Sequence, residues 1–199
     1  MAGRAGRPRI RGHALIADSF VTGIAAFAAW LGAAMIVLAD GRRGLALGIG
    51  LVAVGFAAMA WADGVWVGGA LLLVGGAIAV MTLLRTGHQD WGLMPSGSTP
   101  RLLLAVAGGI LSLWVAASVT TGPGASLRFA CITVLGLMAG RLLESKSATP
   151  ALTGASGLAI ALAGASELGP NDPGFAPYLI GAVIAAGALL LPVARSDGA

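Results

Sequence analysis

His88 and Asp90 stand two residues apart in the longest polar stretch of the chain, between Arg85 and Arg101. An imidazole and a carboxylate are candidate metal ligands, but a zinc site needs three or four, and this pair has no third. A solvated loop accounts for it. The single Cys131 lies in an apolar run, where a thiol acts as a small buried hydrophobe and has no partner for an internal disulfide. Arg128, Arg141 and Glu167 each sit within about a turn of the end of an apolar run, so snorkelling to the interface is expected to serve them. The centres of the runs hold no Asp, Glu, Lys, Arg or His.

That emptiness removes several chemistries. Pumps and proton relays mark themselves with ionisable residues at membrane depth. A retinal-type Schiff base needs a lysine inside the bundle, yet Lys146 falls between runs. Haem held between helices needs buried histidines, and His13 and His88 both lie outside the runs. Ser–His or paired-Asp proteolysis lacks its partners for the same reason. No residue is assigned to catalysis, to a cofactor or to a metal.

The elements around these residues follow from composition. Of 199 residues, 57% are hydrophobic and 10% charged, whereas a soluble domain carries about 25% charged residues. A chain this apolar belongs in a bilayer. Seven runs approach the roughly 20 residues that cross about 30 Å of hydrocarbon: 19–39, 44–62, 65–84, 101–120, 126–143, 151–168 and 175–194. Asp63 with Gly64, Gly122 to Gly124, and Gly169 to Gly174 read as tight turns between them. The runs are continuously apolar rather than alternating, which excludes a β-barrel. The expected fold is an all-α polytopic membrane bundle of about seven segments. Residues 1–18 would form a basic tail, 19–194 the bundle and 195–199 a C-terminal tail.

Gly50, Gly109 and Gly157 each open a similar short apolar string 13 residues before a turn residue, namely Asp63, Gly122 and Pro170. One leading helix followed by three helical hairpins would produce this. In plan it resembles the six-span acid-resistance HdeD-type membrane proteins, a likeness of architecture carried by no diagnostic motif. The loops between hairpins hold Arg42, Arg43, Arg85, Arg101, Arg141 and Lys146, and the C-terminal tail holds Arg195. The hairpin tips hold Asp63, Glu167 and Asp172 with Arg128 nearby. The positive-inside rule puts the basic side and the C-terminus in the cytoplasm of a cell-membrane protein. Arg4, Arg7, Arg9 and Arg11 leave the N-terminus open: a full first span exports them, and an interfacial or re-entrant one keeps them inside.

Glycine numbers 32. The pairs Gly44 with Gly48, Gly64 with Gly68, and Gly136 with Gly140 match the close-packing spacing, but no more often than so glycine-rich a chain gives by chance. Small residues in nearly every run still let helices approach closely. Trp61, Trp66 and Trp91 lie at run ends or in a loop, as interfacial aromatics do.

Two functional readings follow. The first is a non-catalytic accessory or scaffold subunit of a membrane assembly, whose partners are the lipid bilayer and either other membrane subunits or a second copy, with no nucleic acid. The second is a permease or channel for a small neutral solute, drawing on hydroxyls within the runs: Ser112, Ser118, Thr133, Ser156 and Ser166. Their convergence on a central cavity would favour transport, and their dispersal would favour a scaffold. A lipid-modifying enzyme ranks below both, since scattered single polar residues do not make an acid–base or metal cluster.

Overall fold

The computed structural model describes residues 9–86, 91, 99, 102–103, 106–111, 114, 122, 124–145 and 147–191, with side chains from Ser19 onward. Among the described residues there is helix and no strand. The continuous helices are α1 (Arg9–Leu38), α2 (Arg42–Ala62), α3 (Trp66–Arg85), α4 (Ala125–Glu144), α5 (Ala148–Ala165) and α6 (Ala176–Ala188). A single 3-10 turn, Ser166–Leu168, extends α5. Five stretches of 20 or 21 residues are long and apolar enough to cross a membrane: Ser19–Leu38, α2, α3, α4 and Ala148–Leu168. At 1.5 Å per residue each reaches about 30 Å. The chain is an all-α, membrane-embedded bundle.

The expected count of seven rests more loosely. Helix α6 is apolar but has 13 residues, about 20 Å of rise. Of the run at 101–120, residues 102–103, 106–111 and 114 are described, and all are helical. His88, Asp90, Ser112, Ser118, Lys146 and the tail at 195–199 lie outside the described residues.

The turns do what their residues dictate. After α2 the backbone enters the left-handed region at Gly64, φ 86°. There the Val65 amide donates to the Ala60 carbonyl at 2.7 Å and the Gly64 amide to that of Trp61 at 3.1 Å. This paired closure satisfies carbonyls that the helix end would otherwise orphan. Before α6, the Gly174 amide donates to Asp172 Oδ1 at 2.9 Å, and Pro177 falls in the first turn, where a missing amide costs nothing. Helix α1 begins at Arg9, ten residues ahead of the expected span. Between Arg9 and Ser19 no proline interrupts the helix, and Gly12 is the one residue there of markedly low helix propensity.

The helices form two layers of three. In one, α2 lies between α1 and α3; in the other, α5 lies between α4 and α6. Across the layers α1 meets α4, α2 meets α5 and α3 meets α6. Phe56, Ile49, Met138 and Ile160 are fully buried where the layers meet, and the Phe56 ring lies on Gly164 of α5.

Several helix pairs approach backbone to backbone. A Cβ added at Gly32 would stand 2.5 Å from the Gly48 carbonyl oxygen and 2.8 Å from the Val52 nitrogen. One at Gly55 would stand 2.5 Å from the Ala25 carbonyl oxygen, and one at Gly75 2.7 Å from Ala182 Cα. The Gly32 and Gly55 contacts, antiparallel along α1 and α2, show that residues from Ala25 to Gly32 run beside the body of α2. The first segment therefore stands alongside the others instead of lying across one end. The hairpin tips and the start of α1 share one end of the bundle, called the tip; the α1–α2 turn and the ends of α3 and α4 share the other, the base.

At Gly32 no flexible side chain can yield, because the obstructing atoms are backbone. Gly32→Ala should lower stability by about 1–3 kcal/mol, the usual range for overpacking. Gly136 meets nothing within 4 Å, so Gly136→Ala should be neutral or stabilise by up to about 1 kcal/mol through helix propensity. Thermal unfolding of both variants in one detergent checks the contrast, and equal effects would refute the backbone-contact account.

Candidate functional site

The described charged side chains gather at the two ends. At the tip, four elements contribute. Asp63 caps the C-terminus of α2, and Arg128 lies in the first turn of α4. Glu167 lies in the 3-10 turn after α5, and Tyr178 in the first turn of α6. The Tyr178 ring is fully buried and lies over Gly68 of α3, where an added Cβ would come within 2.8 Å of Cγ. Its hydroxyl donates to Glu167 Oε1 at 2.5 Å, which gives a phenol in an apolar core the partner it requires.

Asp63, Arg128 and Glu167 open onto a cleft of about 230 Å³ with Gly124, Leu127 and Leu168. A second cleft of about 460 Å³ shares Asp63, Gly124 and Leu127 and extends to Ser19 and Thr22 on α1. Partial burial holds the Asp63 carboxyl above its usual range, and the neighbouring Glu167 carboxylate adds to the effect. The tip thus carries two mutually unfavourable carboxylates, a guanidinium and a phenol already committed to one of the carboxylates. That set can retain a proton at Asp63. Among the described residues no three His, Cys, Asp or Glu side chains are placed to hold a metal.

The base overturns one expectation. Arg141 does not snorkel: it is 1% exposed. Its guanidinium pairs with the Asp40 carboxylate and donates to the Ala39 carbonyl at 2.8 Å. The last turn of α4 packs against α1 and its corner with α2, so the nearest acceptors lie inward rather than in the headgroups. Asp40 is 39% exposed and keeps one side in solvent. Beside it, Arg42 Nη1 donates to Thr86 Oγ1 at 2.6 Å, tying the start of α2 to the end of α3. Arg128 and Glu167 remain half-buried at the tip.

Several of the described hydroxyls within the helices turn onto backbone. Thr133 donates to the Phe129 carbonyl at 2.7 Å, and Thr153 to that of Thr149 at 2.9 Å. Ser166 reaches the Ala163 carbonyl at 2.6 Å. Ser156 lies within 3.0 Å of its own helix's Leu152 carbonyl and 2.9 Å of the Ala185 carbonyl on α6. Cys131 is buried, with Sγ 3.9 Å from the Ala161 carbonyl. Trp61 and Trp66 stack at 6.3 Å between ring centroids, and Trp61 Nε1 donates to the Trp66 carbonyl at 3.1 Å.

Sequence reasoning did not find the Tyr178–Glu167 and Arg141–Asp40 pairs. For the first a signal existed: the one tyrosine of the chain stands eleven residues after the one acid at the end of α5. The second joins positions 101 residues apart, and no local pattern announces it.

Two outcomes follow. Asp40→Ala leaves Arg141 charged and buried, and should cost about 2–3 kcal/mol; breaking a fully buried pair costs more, but Asp40 is partly solvated. Adding Arg141→Met should recover most of the loss, read as Tm in a double-mutant cycle. The second outcome concerns Asp63. Because folding raises its pKa, the native state holds its proton more tightly than the unfolded state. Its contribution is fully present below the unfolded value, near 3.8, and declines as pH rises through the higher folded value. Asp63→Asn should flatten this decline in a Tm series from pH 4 upward, and an unchanged slope would contradict it.

Comparison of the chain with protein-family models, curated proteins and solved structures finds no match.

Proposed function

We propose that the chain is a non-catalytic polytopic membrane protein, an accessory or scaffold subunit of a membrane assembly. The observation that carries this reading is where four hydroxyls of the helices go. Thr133, Thr153, Ser156 and Ser166 direct their hydrogen bonds to carbonyls of the bundle itself. A permease for a small neutral solute calls for such groups to converge on a central cavity. Here the centre between α2 and α5 holds Ile49, Phe56 and Ile160, all fully buried. The outer faces of α3 and α6 supply contact area for another membrane subunit or a second copy: Val67, Val74, Ile180 and Val183 are each more than half exposed. In this reading the base, with Arg42, Arg43, Arg85 and Arg141, faces the cytoplasm together with the C-terminus of a cell-membrane protein.

Native mass spectrometry after extraction from the native membrane in mild detergent should give a particle heavier than one 19.6 kDa chain. A single chain that carries solute flux in proteoliposomes would overturn the reading in favour of the permease. In the same membranes, Asn171→Cys should label from outside and Ser145→Cys should be protected. The reverse pattern would invert the orientation.

A further inference from the structure

Two apolar grooves run along the outside of α3. The first, about 510 Å³, lies between α2 and α3 along Leu47, Gly50, Val54 and Leu84, with Arg43 at its basal end and Trp91 on its wall. The second, about 410 Å³, passes Met81 and Leu190 and is also bounded at the base by an arginine, Arg85. Leu47 and Val54 are about half exposed, so the first groove opens outward rather than into the core. Of the described residues following α3, Trp91 lines the groove, while two glycines lie elsewhere. Gly108 lies by Leu137 and Gly109 by Trp30, at the seam of α1 and α4.

Dimensions and charge identify an occupant. From Arg43 to Val54 the helix rises about 16 Å, against roughly 15 Å for the hydrocarbon of one leaflet. The walls between are apolar and suit a hydrocarbon chain. At the base, Arg43 presents a planar guanidinium, the group best matched to a phosphate diester, and Arg42 and Arg85 add charge of the same sign at that end. Trp91 is half exposed on the groove wall, where an indole suits the headgroup boundary. Basic pockets between membrane helices bind anionic headgroups by this combination.

We propose that the groove between α2 and α3 seats one anionic phospholipid, an acyl chain lying along Leu47 to Val54 and its phosphate on Arg43. The seat is independent of whether the protein scaffolds an assembly. The test is native mass spectrometry of the full chain in micelles supplied with equal phosphatidylglycerol and phosphatidylcholine. The native protein should retain phosphatidylglycerol preferentially. Arg43→Gln should reduce that preference about fivefold, the effect of one basic residue at a membrane surface. Arg128→Gln, the same charge change at the other end, should leave it intact. Gly50→Leu should fill the groove and lower retention of the lipid itself; if that variant does not fold, Val54→Trp, on the outer wall, serves the same purpose. Absence of a preference, an equal loss in Arg128→Gln, or undiminished retention with the groove filled would each overturn the proposal.

Discussion

Helix backbones meet directly at Gly32 and Gly55, between α1 and α2 within one layer, and at Gly75, between α3 and α6 across the layers. In hydrocarbon there is no hydrophobic drive between helices, because lipid tails are as apolar as leucine. Association rests on close van der Waals contact, which weakens steeply with separation. A missing side chain at each crossing brings neighbouring helices into contact along a line of main-chain atoms. The larger residues, Phe56, Ile49 and Met138, then fill the space between the layers.

The polar groups divide accordingly. Where helices are closest, a hydroxyl has little room to reach beyond its own backbone, as with Thr133 and Thr153. Where they diverge toward the ends, side chains from different elements can meet. The Tyr178–Glu167 bond joins the start of α6 to the end of α5, and the Arg42–Thr86 bond joins α2 to α3. Within the bundle Ser156 also reaches the Ala185 carbonyl of α6, so hydrogen bonds between helices are not confined to the ends.

This division explains what was legible in the sequence. The fold class was, because charge scarcity and continuous apolar runs are local properties that a bilayer constrains strongly. The turn at Asp63 and Gly64 was legible for the same reason: a left-handed residue must be found at one position. The spacing of glycines was not, since Gly32 and Gly55 belong to none of the three matching pairs yet make two of the tightest approaches. What matters there is the helix opposite, which one chain's spacing does not encode. Arg141 was misjudged on similar grounds: distance from a run's end says how far a side chain must reach, not what waits in the other direction.

The corner at Asp40 also imposes a direction on biogenesis. During synthesis Asp40 emerges about a hundred residues before the arginine that completes the ion pair. A lone guanidinium held inside hydrocarbon is costly, so the end of α4 has reason to stay near the interface until the carboxylate is within reach. A chain truncated after α3 should be able to form its half of the corner, whereas a fragment starting at α4 would carry an arginine with nowhere to go.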